Sequence, residues 1–402
     1  MKTKLFYTAA LLITTMSINA QGTWMQKANF NTERIIATGF SIGTKGYMGM
    51  GQDNAYAFKK DFWEYDPGTD TWTQKADFGG TARGAATGFA IGTKGYIGTG
   101  AGTSYYKDFW EYDPAANTWV QKADFGGTAR YGSAGFSIGT KGYIGTGYSS
   151  PGTDSLHKDF WEWDQGSNTW TQKADFAGTA RGGAIGFSID SKGYIGTGCI
   201  GPNYYSYCKD FWEYDPTGNT WTQKTDFGGE ARGSAVGFAI DAKGYIGTGK
   251  DTLYNSRKDL WEYDPSGNTW TQKANFGGLA RGFATGFSIG TKGYIGTGHT
   301  GNGSKDFWEY DHIGTTGVGM LLEKSLSVSL FPNPVSDYLY ISTPDSYGDA
   351  NALSVEVYDL AGHLLIKEHD LKETVTKLDF SVLAAGVYVV KINSVSKKII
   401  KQ

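Results

Sequence analysis

The side chains of this chain that could recognise or transform a ligand are its tyrosines, arginines, histidines and cysteines, and most recur in register. Tyrosines and single histidines gather in segments of changing length: Tyr56 and Phe58; Tyr105 and Tyr106; Tyr148 and His157; Tyr204, Tyr205 and Tyr207; Tyr254 and Arg257; and His299. A tyrosine offers a broad face and a hydroxyl at small entropic cost, so such segments suit recognition of a glycan or a protein. The candidate ligand-binding set is Tyr105, Tyr106, Tyr148, His157, Tyr204, Tyr205, Tyr207, Tyr254, Arg257 and His299.

Six of the seven arginines, Arg34, Arg83, Arg130, Arg181, Arg232 and Arg281, each stand twelve residues before a Gly-Tyr pair. One reading is an anion-binding ring near the mouth of a central channel. The other is architecture: a backbone clamp, or ion pairs with the repeated glutamates Glu64, Glu111, Glu162, Glu213, Glu262 and Glu309. Identical use in every repeat favours architecture. Cys199 and Cys208 bracket a loop of ten residues. In an exported chain they are expected to form a disulfide, stabilising by roughly 2–3 kcal/mol in the chain-entropy model.

Catalysis has less to draw on. The five histidines are His157, His299, His312, His363 and His369, and none joins a cluster with metal-ligand spacing. The expectation is no metal, no cofactor and no assigned catalytic residue. With 37 basic and 40 acidic residues, a net charge of −3 and no long basic run, a phosphate-tracking nucleic-acid binder is excluded.

These residues must be positioned by a repeated element. Phe-Trp-Glu-Tyr-Asp or a close variant recurs at 62–66, 109–113, 160–164, 211–215, 260–264 and 307–311, and Gly-Tyr-x-Gly-x-Gly at 46–51, 95–100, 142–147, 193–198, 244–249 and 293–298. A further tryptophan segment recurs at Trp24, Trp72, Trp119, Trp170, Trp221 and Trp270, so all 13 tryptophans lie in the repeats. Each unit reads as four short strands: a small, then apolar one (Gly84 to Ile91), Tyr96 to Thr99, Phe109 to Tyr112, and Trp119 to Gln121. The chain opens on the fourth strand and its last repeat stops after the third. The N-terminal strand is therefore expected to complete the sixth unit and close a ring without free edges. The third-strand tryptophans are 47, 51, 51, 49 and 47 residues apart, and all of that variation lies between the second and third strands, where 8, 6, 10, 10, 8 and 6 residues intervene. One face is thus framework, and the other carries the variable, tyrosine-rich loops.

The order of arginine, Gly-Tyr-Ile-Gly-Thr-Gly, Trp-Glu-Tyr-Asp-Pro and Asn-Thr-Trp resembles the kelch repeat. The resemblance implies an all-β, six-bladed kelch-type β-propeller closed by its N-terminal strand. It also admits an alternative function, a carbohydrate-active enzyme of the sugar oxidase or sialic-acid epimerase type, although the oxidase ligand set matches no positions here. Residues 1–20 read as a signal peptide: Lys2 and Lys4, an apolar run from Leu5 to Met16, and Ala20 at the cut. That run is too short to span a bilayer, and no transmembrane segment is expected in the mature chain.

Beyond His312 the repeat ends. Ser329 to Val335 around Pro332-Asn333-Pro334, then Val357-Tyr358-Asp359-Leu360-Ala361-Gly362, Leu378 to Tyr388 and a basic last strand resemble the C-terminal sorting domain of the type IX (Por) secretion system of Bacteroidetes. That resemblance implies a small immunoglobulin-like β-sandwich, the type IX machinery as a partner, and export through periplasm and outer membrane to the surface or the medium. The expected organisation is signal peptide 1–20, propeller 21–313, linker 314–325 and sorting domain 326–402.

Overall fold

The computed structural model describes residues 21–149, 156–200, 206–312, 329–331, 334–342, 353–359, 363–371, 375–392 and 395–402. The chain divides into two units, Met1–Ile313 and Gly314–Gln402. The first holds six four-stranded antiparallel sheets, each strand pairing with the next in sequence. Blade one is Thr38–Ile42, Lys45–Gly49, Phe62–Asp66 and Thr71–Lys75. Blade six is Thr285–Ile289, Lys292–Gly296 and Phe307–Asp311, completed by Thr23–Lys27 from the start of the chain. The innermost strands neighbour one another around a closed circle, giving a β-propeller.

The closing strand pairs as the other fourth strands do, with the Gln21 backbone standing where four other blades use a turn side chain. Trp24 stands opposite Tyr310, its indole donates to the Ala274 carbonyl at 3.1 Å, and the Tyr310 hydroxyl donates to the Gln21 carbonyl at 2.9 Å. The core lies between blades. Phe40, Ile42, Tyr47 and Phe62 of blade one pack against Ile97 and Tyr112 of blade two. The glycine of each Gly-Tyr pair is required by this packing, since a Cβ on Gly244 would stand 2.5 Å from the Phe187 ring of the preceding blade. Where a strand of Val, Ile or Thr would ordinarily be favoured, the neighbour's ring leaves room only for hydrogen.

The inner strand starts at Thr87 rather than Gly84, because residues 84–86 turn near the axis with Ala85 at φ 50°. The outer turns are also shared. In four blades the third-strand tyrosine donates to an Asn or Asp of its own turn, as Tyr112 does to Asn117 at 2.9 Å, and that Asn accepts the Ala76 amide of the blade before.

The second unit is a two-sheet antiparallel sandwich. Ser329–Phe331, Tyr338–Ser342 and Val375–Asp379 form one sheet, and Leu364–Leu371, Leu353–Tyr358, Gly386–Ile392 and Val395–Lys401 the other. Leu339, Ile341 and Leu378 from the first meet Val355, Val357, Val390 and Ile392 from the second.

Blade three departs from the turn pattern. Trp163 occupies the tyrosine position, fully buried, and its indole Nε1 has no partner among the described residues. A tyrosine there regains the bond to Asn168 that its equivalents make, worth about 1 kcal/mol. Trp163→Tyr is therefore expected to exceed Trp163→Phe in stability by about that amount in denaturant titrations; equal midpoints would contradict the assignment.

Candidate functional site

The face that could bind is set by what holds it. Arg83 is fully buried, and its guanidinium meets Asp108 through two bonds, Nη1 to Oδ1 at 2.6 Å and Nη2 to Oδ2 at 2.8 Å. Nε donates to the Thr81 carbonyl and Nη1 also to the Thr99 carbonyl, both at 2.9 Å. The Trp110 indole adds a donor to Asp108 at 2.7 Å, and Phe78 lies under the guanidinium at 5.0 Å. Arg130, Arg181, Arg232 and Arg281 repeat the arrangement with Asp159, Asp210, Asp259 and Asp306. The arginine carbonyl meanwhile accepts the amide of the second-strand glycine of the preceding blade, as Gly51 donates to Arg83 at 2.8 Å.

The arginines are thus clamps within and between blades, and their partners are aspartates rather than the expected glutamates. The glutamates accept tyrosine hydroxyls, as Glu111 does from Tyr96 at 2.6 Å. Burial works to raise the carboxyls of Asp159, Asp210, Asp259 and Asp306, and the arginine bonds and charge override it, holding them below the usual carboxylate range.

Blade one differs. Phe30-Asn31-Thr32-Glu33-Arg34 is one residue shorter than Phe78-Gly79-Gly80-Thr81-Ala82-Arg83 and lacks the glycine whose Cβ would stand 2.9 Å from both Arg83 and Asp108. Arg34 keeps one bond to Asp61, at 2.5 Å, while its Nε and Nη1 have none. A cleft of about 690 Å³ adjoins it.

Three of the sequence-predicted residues belong to this framework. Tyr106, His157 and Arg257 stand at one equivalent position, directly before the third-strand Lys-Asp. Tyr106 covers the Arg83 guanidinium at 4.0 Å. The His157 imidazole lies 3.9 Å from Asp159; burial, then the Arg130 charge, lowers its pKa. Arg257 pairs with Asp251 at 2.6 Å and with Glu230.

Cys208 holds the same position. Both cysteines are free thiols in the structure. Cys199 faces Tyr207 and Cys208 faces Gly198 across the antiparallel loop, so the two side chains leave opposite sides. Cys199 is hydrogen-bonded to Tyr148, whereas Cys208 turns to Asp210 of the clamp; burial raises both thiols.

At the axis, the second residue after each arginine adopts a left-handed conformation, with φ between 50° and 62° at Ile36, Ala85, Gly132, Gly183, Ser234 and Phe283. Their backbones form a closed circle. Each amide donates to the equivalent carbonyl of the blade before, at 2.8 to 3.1 Å, and Ile36 completes the circle by donating to Phe283. The side chains on this circle are unequal: Phe283, Ile36 and Ala85 on one side, two glycines and Ser234 on the other.

Over that glycine gap opens a cavity of about 210 Å³ lined by Tyr131, Tyr148, Cys199, Tyr207, Ser234, Tyr254 and Phe283 above Gly182, Gly183 and Gly233. Tyr148 lies flat against Gly182, where any Cβ would strike its ring, and a Cβ on Gly233 would stand 2.6 Å from Tyr207. Tyr131 stacks between Tyr148 and Tyr105 with centroids 5.1 and 5.3 Å apart. Tyr254 is held at φ 62°, a region costly for a large side chain, by a loop whose Asp251 accepts the amides of Leu253 and Asn255.

Of the predicted set, the structure brings Tyr148, Tyr207 and Tyr254 together, with Tyr105 behind them. His299 begins the blade-six loop beside Gly282, and burial, then the nearby Lys250 charge, lowers its pKa. Tyr204 and Tyr205 lie outside the described residues. Sequence reasoning missed Tyr131, Ser234 and Phe283. The available signal was variability at the two positions after an otherwise fixed arginine.

A family model described as the secretion system C-terminal sorting domain matches residues 329–402. It marks the chain for export by type IX secretion, to the cell surface or the medium. No curated protein matches the chain in sequence. Among solved structures, that of YjhT is similar with a TM-score of 0.60 at 16% identity, covering 70% of this chain and 95% of that one. At such identity the likeness speaks for the propeller fold alone.

The clamp makes a test. Arg130→Met leaves the part-buried Asp159 without its partner and is expected to cost about 3 kcal/mol, the lower end for a broken buried pair. A carboxyl held below its unfolded pKa of about 3.9 stabilises above that pH, and the contribution is lost as pH falls through the folded value. The wild type should therefore lose stability on acidification below about pH 4, with a shallower loss in Arg130→Met. Unchanged stability at neutral pH, or parallel acid limbs, would contradict the clamp.

Proposed function

We propose that this chain is an exported binding module of kelch type, in which the propeller recognises a glycan or protein ligand at its variable-loop face and the C-terminal unit engages the secretion machinery. The single observation that carries the reading is the aromatic cavity over the glycine gap. Its lining comes from loop positions that differ between blades, whereas the framework beneath is repeated. Strong selection for a fold alone would leave these positions free to be small and polar; here four tyrosines and a phenylalanine crowd one sector.

The cavity size argues for an end rather than a strand. An apolar cavity of roughly 150 Å³ holds a benzene ring, so about 210 Å³ accommodates one six-membered ring with a substituent. Tyrosine faces bind the C–H side of such a ring, and their hydroxyls bind its polar edge. The recognised feature is a ring-sized terminus, of a glycan or of a protein side chain.

Screening the mature chain on glycan and protein arrays, followed by Tyr148→Ala and Tyr207→Ala, tests the reading. Each variant is expected to weaken binding by roughly tenfold or more, the cost of a buried interface aromatic. Tyr148 is buried against Gly182, so its variant should also lower the unfolding midpoint, and affinities are compared at a temperature where both variants are folded. Full affinity in both variants would refute the site.

A further inference from the structure

Lys250 has no architectural reason to be charged. It is the first residue of the blade-five loop, where the other blades place Gln52, Ala101, Tyr148, Cys199 and His299. It is only 7% exposed, yet it makes no hydrogen bond or ion pair among the described residues. Its stem crosses Gly282, where a Cβ would stand 2.9 Å from Lys250 Cγ, and its ammonium stands 5.1 Å from the Tyr254 ring centroid.

The neighbouring acid is spoken for: Asp251 binds Arg257, the amides of Leu253 and Asn255 and the Asn255 side chain. Glu230 also pairs with Arg257, and His299, facing Lys250 from blade six, is held toward its neutral form. The stem is buried, but the ammonium is not among the fully buried unpaired atoms, so its charge stays within reach of water and of a ligand. Burial lowers the Lys250 pKa, although Asp251 nearby acts against this.

The position is the cavity edge. Gly233 pairs with Lys250 through the backbone and lines the cavity; Tyr254 lines it beneath the ammonium; and Phe283 follows the glycine that Lys250 crosses. Resting on the cavity assignment above, we propose that Lys250 and the tyrosine cavity form one subsite for a ring-sized ligand bearing a carboxylate. The ring sits among Tyr148, Tyr207 and Tyr254, and its carboxylate pairs with the Lys250 ammonium. A cationic ligand is disfavoured by the positive charge of Lys250 at the cavity edge.

Three probes share a ring and differ in charge: benzoate, benzyl alcohol and benzylamine. Calorimetric titration of the mature chain is expected to show benzoate bound roughly tenfold or more tighter than benzyl alcohol, the scale of one charge-assisted hydrogen bond, with benzylamine weakest. Lys250→Met and Lys250→Gln should abolish the preference while Lys250→Arg keeps it, and Tyr148→Ala should weaken all three probes. If the probes bind the wild type without charge preference, or the preference survives in Lys250→Met, the lysine role is overturned while the cavity stands. If none of the three binds the wild type, the cavity assignment falls with it.

Discussion

A guanidinium removed from water is tolerated where its donors find acceptors and its charge a partner. Arg83 meets that condition by drawing in the Thr81 turn, the end of the second strand at Thr99 and the start of the third at Asp108. Its carbonyl holds the blade before through Gly51. One residue thereby fixes the turn entering a blade, the distance between two strands and the angle to a neighbour. Repeated around the ring, the clamp leaves the second-to-third-strand loop with no structural duty beyond its base. Those loops can then differ in length by up to four residues (6 to 10) without disturbing the blades.

The same fixing explains why recognition concentrates at the axis. The circle of left-handed residues must close, so each of its members is positioned to about the accuracy of a backbone hydrogen bond. Whether the mouth is filled or open then depends on side-chain size alone. Phe283 and Ile36 fill one side, while Gly132 and Gly183 leave the other to tyrosines standing on neighbouring loops. A rigid floor of glycines with aromatic walls loses little entropy when a ring enters, which is the usual advantage of a preorganised site.

The blades, their four strands, the N-terminal closure and the variable face were all legible, because each rests on a repeated pattern of large and small residues. Partner choice was not. Glu64 looked like the natural mate of an arginine, but it lies opposite Tyr47 in mid-strand, whereas Asp61 sits at the strand end that the arginine turn reaches. Equal spacing in sequence hid that difference in height along the blade. The cavity was half visible: Tyr148, Tyr207 and Tyr254 declared themselves by type, while Ser234 and Phe283 lay within a segment that reads as the start of an inner strand. The disulfide expected from the spacing is not made in the structure, where cysteines facing Gly198 and Tyr207 project to opposite sides. In the C-terminal unit, the sandwich was legible through the resemblance of its motifs to a sorting domain.

Amide exchange of the axial circle tests most directly whether the clamps hold the propeller as one unit. The amides of Ile36, Ala85, Gly132, Gly183, Ser234 and Phe283 can be followed in the wild type and in Arg130→Met. Cooperative closure predicts that all six exchange at a single slow rate, that of global opening, and that all six accelerate together in the variant. Acceleration confined to Gly132 and its immediate neighbours would mean that blades open independently, as in a linear repeat array, and would contradict the account.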